Sequence, residues 1–174
     1  MATGCGRAFI SARQMRYYPR LITSACCLLL LCLIPRVEAQ QKSCEGEPLI
    51  TIDRSACFGD CPVYSAEIYA DGTVVYVGKR FVKTEGTQRF KISEERIAAL
   101  IKEFERIDYW SLQDRYETDE NGRSVTDQPT TTTSICLNGK KKQVVNYYYA
   151  PRKLDELEEK IDSLAGLYSL IGPL

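Results

Sequence analysis

The sequence predicts an α+β domain: an antiparallel sheet of about five strands, made largely of two hairpins, with two amphipathic helices. Three observations carry this expectation. Asp71-Gly72 and Asn138-Gly139, each flanked by runs rich in Val, Ile, Tyr and Thr, mark the two hairpins. Ile97, Leu100, Ile101, Phe104 and Ile107, and later Leu154, Leu157, Ile161 and Leu164, recur at helical spacing, giving two apolar stripes. Hairpins and helices occupy separate stretches of chain, the pattern of α+β rather than of parallel α/β folds.

The 174 residues divide unevenly. Residues 1–39 read as a cleavable secretory signal: Arg7, Arg13, Arg16 and Arg20 precede an apolar stretch from Leu21 to Ile34, and Pro35 breaks it before the small-residue site Val37-Glu38-Ala39. That stretch counts 14 residues, against the roughly 20 that a spanning helix requires, so no membrane span is expected once the signal is removed. The expected product is an exported protein, periplasmic or secreted. Residues 40–48 form a polar lead, 49–166 the single domain, and 167–174 a C-terminal tail.

Within the domain, Leu49 to Ile52 is a short β-rich run. Val63 to Ala70 and Thr73 to Gly78 follow as the first hairpin, with Asp71-Gly72 as the signal for a two-residue type I′ turn. Ser93 is placed to cap a helix whose first turn carries Glu94 and Glu95, suited to the positive end of the helix dipole. Residues 111–129 are dense in Asp, Glu, Gly and Asn, and a connection of that length in a compact domain is functional or mobile. Thr130 to Leu137 and Gln143 to Tyr149 form the second hairpin. Pro151 suits the start of the last helix and Gly166 its end.

Four cysteines, Cys44, Cys57, Cys61 and Cys136, remain after the signal, an even number that suggests disulfides in an oxidising compartment. Four cysteines allow three pairings. Cys57 and Cys61 flank a Gly-containing turn that can bring their Cβ atoms to about 4 Å, so this bridge is favoured, leaving Cys44 for Cys136. As a redox pair, Cys57 and Cys61 are one residue further apart than the Cys-x-x-Cys motif, and as zinc ligands the four lack that spacing too.

Composition excludes more than it assigns. Five of the 23 basic residues and one of the 23 acidic residues fall within residues 1–39, leaving 18 and 22 and a net charge of −4. A mildly acidic domain whose longest basic run is Lys140-Lys141-Lys142, beside a turn, lacks the footprint that nucleic acid requires. Histidine is absent, which removes the usual general base of Ser and Cys hydrolases and the commonest ligand of catalytic zinc. No cofactor and no metal are expected.

The runs Ala56-Cys57-Phe58-Gly59-Asp60-Cys61-Pro62-Val63-Tyr64, Tyr69-Ala70-Asp71-Gly72-Thr73-Val74-Val75-Tyr76 and Thr126-Asp127-Gln128-Pro129-Thr130-Thr131-Thr132-Thr133 resemble a bacterial domain family of unknown function. The resemblance spans roughly residues 48 to 166 and extends to Asn138-Gly139 and Val145-Asn146-Tyr147-Tyr148. It implies a small domain of exported proteins, sometimes joined to other modules, and no particular activity. Cys44 and Cys136 lie outside its motifs.

Candidate site residues come from the 111–129 loop and its flanks. Arg115, Asp127, Thr130, Tyr147 and Tyr148 are the candidates for binding a protein or a small ligand. Pro129 fixes a turn there, Asp127 can bond backbone or pair with Arg115, and Tyr147, Tyr148 and Tyr149 put aromatics on both faces of a strand. The expectation is a non-enzymatic binding or envelope-associated module. Two rivals remain: a hydrolase using paired carboxylates among Asp114, Glu117, Asp119, Glu120 and Asp127, and a thiol–disulfide protein using Cys57 and Cys61. Asp119, Asn121 and Asp127 also offer oxygens for weak calcium binding, without an EF-hand pattern.

Overall fold

The computed structural model describes residues 44–172. The secretory-signal expectation, with the start of the polar lead, falls outside them. Among the described residues the chain runs β1 (Ile50–Arg54), β2 (Val63–Ile68), β3 (Thr73–Arg80), β4 (Gly86–Lys91), α1 (Glu94–Arg106), β5 (Arg115–Tyr116), β6 (Thr131–Leu137), β7 (Lys140–Asn146), α2 (Arg152–Leu164) and α3 (Tyr168–Ile171), with a 3-10 turn at Tyr109–Ser111.

The α+β class holds, but the sheet has seven strands rather than about five and is mixed rather than purely antiparallel. Its order is β4-β3-β2-β1-β6-β7-β5. All neighbours are antiparallel except β5, which runs parallel to β7. β4 escapes sequence reading because it is an edge strand of polar residues, Gly-Thr-Gln-Arg-Phe-Lys, with Phe90 as its one partly buried apolar side chain. It is held instead by the long open edge of β3. β5 has two residues, too few to show any period, and is anchored by Val145 N–H donating to the Asp114 carbonyl at 2.9 Å.

The strands alternate as period-two elements should. Ile50, Ile52, Tyr64, Ala66, Ile68, Val74 and Tyr76 point to one face, where α1 delivers Ile97, Leu100 and Phe104 and α2 delivers Leu154, Leu157 and Ile161. The two helices pack against each other over that face.

The first hairpin departs from the expected type I′ turn. Gly72 N–H donates to the Tyr69 carbonyl (3.0 Å) and Tyr69 N–H to the Thr73 carbonyl (2.8 Å), a three-residue loop. Within that loop Gly72 takes a positive φ of 80°, while Asp71 stays at negative φ and accepts Thr73 N–H on its carboxylate. A Cβ at Gly72 would meet the Ile92 carbonyl oxygen at 2.4 Å, so glycine is required by position as well as by φ. Asn138 and Gly139, at φ 53° and 73°, make the second hairpin a two-residue type I′ turn.

The segment 167–174, expected as a tail, instead carries α3. After Gly166 closes α2 at φ 77°, Leu167 and Ile171 turn into the core. The Leu170 and Ile171 carbonyls accept Thr84 and Lys83 N–H at 2.9 Å each, tying α3 to the β3–β4 connection. Cys44 is bridged to Cys136 and Cys57 to Cys61, with Cα atoms 5.8 Å apart in each pair. Among the described residues no helix is long and apolar enough to cross a membrane.

Candidate functional site: a charged cavity at one end of the sheet

A cluster of buried polar groups gathers around the half-buried Arg54. This arginine ends β1 with the same parity as Ile50 and Ile52, so its side chain points under the helices rather than to solvent. Its register partners on the two neighbouring strands are Tyr64 and Thr131, and it bonds both: Nε–H donates to Tyr64 Oη at 2.8 Å, and Nη1 to Thr131 Oγ1 at 3.0 Å. Nη2 donates to Asp162 Oδ2 at 2.9 Å, and the Tyr64 hydroxyl donates to Asp162 Oδ1 at 2.5 Å. Glu158, one turn before Asp162 on α2, places Oε2 at 3.6 Å from Arg54 Nη1 and accepts from Asn146 Nδ2 at 2.9 Å on Oε1. Glu158 and Asp162 are 4% and 2% exposed. Two buried carboxylates thus face a single guanidinium.

The electrostatics follow from that imbalance. Burial opposes the Arg54 charge, but Tyr64, Asp162 and Glu158 together outweigh it and hold the guanidinium firmly protonated. Burial raises Asp162, against the pull of Arg54 and the Tyr64 hydroxyl. It likewise raises Tyr64 well above the ordinary phenol range. Glu158 is pushed up to about 7 by burial, with Asn146 and Arg54 only partly compensating.

This has a measurable sign. The carboxyl of Glu158 has an ordinary value of 4.5 and titrates near 7 in the folded domain, so the folded state holds the proton more tightly. Stability from this group is therefore greatest at or below about pH 4.5, falls as pH rises through 7, and changes little beyond. Glu158→Gln keeps an oxygen for Asn146 without the charge. It is expected to exceed the wild type by on the order of 2–3 kcal/mol at pH 8 and by little at pH 4. Urea denaturation at the two pH values checks it, and equal stabilities at pH 8 would refute the assignment.

The same groups form the floor of a cavity of about 200 Å³, with Arg54, Tyr64 and Asp162 in its lining. Pro62, Pro129 and Ile171 supply apolar walls, and Tyr168, Glu159 and Cys61 complete it. The parts converge because β1 ends here, β2 and β6 begin here, and α2 and α3 cross above. The Cys57–Cys61 bridge closes a short loop beside it, from which Phe58 stands 89% exposed. Phe58 N–H donates to the Asp127 carbonyl at 3.2 Å, and Ser55 and Thr130 exchange two hydrogen bonds, Ser55 N–H to the Thr130 carbonyl at 2.9 Å and Thr130 N–H to Ser55 Oγ at 2.8 Å.

The candidates named from the sequence do not form one site. The Asp127 carbonyl ties its segment to the cystine loop and Thr130 ties it to Ser55 just before that loop, and Pro129 between them reaches the cavity. Arg115 is elsewhere, exposed on β5, paired with Glu117 rather than Asp127, at a shallow cleft of about 580 Å³ shared with Trp110, Asp114, Lys141 and Lys142. The Tyr147 hydroxyl donates to the Val125 carbonyl at 2.8 Å, fastening the loop. Tyr148 donates its N–H to the Tyr116 carbonyl at 3.1 Å and sets its ring 6.0 Å from that of Tyr149.

The loop carboxylates have neighbours of their own: Asp114 with Lys142 at 2.7 Å, Glu117 with Arg115, Asp119 with the Arg123 guanidinium and the Asn121 and Arg123 amides, and Glu120 with the Tyr149 hydroxyl at 3.4 Å. Among the described residues no group of three or more His, Cys, Asp or Glu is arranged to hold a metal. Sequence reading passed over Arg54, Tyr64, Glu158 and Asp162. The available signal was a charged residue at an inward position of Ile-Thr-Ile-Asp-Arg, and two acids on the apolar side of α2.

No curated protein matches the chain. One family model does, over residues 48–165, which takes in the strands, both long helices and every polar group of the cavity floor. The chain belongs to that family, the domain of unknown function DUF6438.

Proposed function

We propose that the protein is an exported, non-enzymatic binding module that takes a small ligand, or the end group of a larger one, into the cavity at the cystine-loop end of the sheet. The observation that carries this is the floor itself. Buried Tyr64 and Asp162 and half-buried Arg54 are mutually hydrogen-bonded and held by three strands and a helix, beneath walls that are mostly apolar. Rigid polar groups in an enclosed, largely apolar pocket are the ordinary make-up of a recognition site. Tyr64, held protonated and committed to Asp162, offers little to proton transfer. Export is supported by the two disulfides and by the layout of residues 1–39.

The test is a ligand-observed NMR screen with neutral, anionic and cationic fragments small enough for about 200 Å³. Wild-type protein is compared with Glu159→Trp, which plugs the cavity from an exposed position. At least one class is expected to bind the wild type and to lose binding in the plugged variant, with thermal unfolding unchanged. Fragments that bind both proteins equally, or no fragment at all, would overturn the reading.

A further inference from the structure

We infer that the group this cavity accepts is an organic cation, an ammonium or guanidinium carried on an apolar stem; this rests on the binding reading above. The first argument is charge. The cavity lining holds one guanidinium, Arg54, and two carboxylates, Glu159 and Asp162. Arg54 is already spent internally, with N–H groups directed at Tyr64, Thr131 and Asp162. Glu159 differs: it lines the cavity, is exposed, and its carboxylate makes no hydrogen bond or ion pair among the described residues. Within the lining, an entering anion would meet the unanswered carboxylate of Glu159, while the lining's guanidinium is already paired. A cation meets a net negative field in a partly dry site, where a charge contact is worth more than in open water.

The second argument is the wall. Tyr64 and Tyr168 bring two aromatic rings to the cavity, and ring faces attract cations. Pro62, Pro129 and Ile171 offer apolar surface to a stem. Outside, Phe58 stands 89% exposed in the cystine loop, whose Cys61 lines the cavity. An exposed ring on the loop that borders the cavity suits a cation attached to something larger as well as a free amine.

The experiment titrates purified protein with n-butylammonium, n-butylguanidinium, 1-pentanol and pentanoate, probes of similar size and different charge, and with Nα-acetyl-lysine methylamide. The expected result is binding of the two cations, weaker binding of pentanol and none of pentanoate. Glu159→Gln, an exposed change that leaves the fold intact, is expected to weaken the cations about three- to tenfold and pentanol hardly at all. Tighter binding of the lysine amide than of butylammonium identifies a polypeptide side chain as the source, and the reverse order a free amine; either supports the cation. Equal or better binding of pentanol or pentanoate, or cation affinity indifferent to Glu159→Gln, overturns the inference. The binding reading survives that result if Glu159→Trp still blocks those ligands. If none of the five probes and no fragment binds, both fall.

Discussion

Arg54→Met is expected to destabilise the domain by about 3–5 kcal/mol, because it leaves Asp162 and Glu158 buried without the only cation paired with them among the described residues. The methionine stem can occupy the space of the arginine chain, so the loss is electrostatic and polar rather than a matter of volume. It also removes one donor each from the Thr131 hydroxyl and from Tyr64. Combining Arg54→Met with Asp162→Asn and Glu158→Gln is therefore expected to recover most of the loss, since no buried charge then lacks a partner. Urea denaturation with circular dichroism measures both variants. A triple variant no more stable than the single one would show that the guanidinium acts through its hydrogen bonds alone.

The second large effect belongs to the disulfides, which the structure makes very unequal. Cys44 and Cys136 are 92 residues apart in sequence, Cys57 and Cys61 only 4. By chain entropy, the first constrains the unfolded chain by about 4–5 kcal/mol and the second by about 2 kcal/mol. The double substitution Cys44→Ser with Cys136→Ser is expected to lower stability by roughly the larger amount. That is a large share of the about 5–15 kcal/mol that folded domains typically hold. Cys57→Ser with Cys61→Ser is expected to cost less and to loosen the cystine loop beside the cavity. Denaturant midpoints rank the two, and the opposite order would sink the argument.

Where the chain obeys a simple period, its fold is legible. The stripes of α1 and α2, the two hairpins and the inward residues of β1 can be read from apolar spacing, because core burial imposes that spacing directly. β4 cannot, since an edge strand with a polar sequence is placed by β3, not by its own residues. α3 is invisible for a related reason: four residues cannot show a helical period, and the burial of Leu167 and Ile171 depends on the β3–β4 connection lying next to them. The candidate site was less legible. Polar density drew attention to the 111–129 loop, whereas the cavity floor is built from Arg54, Tyr64 and Asp162, which lie up to 108 residues apart and look ordinary in isolation. Of the residues that stand out in the sequence, Pro129, a turn beside Asp127 and Thr130, and Cys61, half of the local disulfide, reach the cavity.

The strand order holds one further consequence, for the order of events as the chain folds. β1 lies at the middle of the finished sheet, yet its two partners arrive far apart: β2 begins 9 residues after β1 ends at Arg54, and β6 begins at Thr131. A chain emerging from its N-terminus can assemble the β1–β2–β3–β4 meander early, and until β6 docks, Ile50-Thr51-Ile52 is the open border of that meander. Its unpaired backbone groups and apolar side chains are then a template for a stray strand. Whatever slows the arrival of the second hairpin thus lengthens the interval in which neighbouring copies of the nascent protein can aggregate through β1.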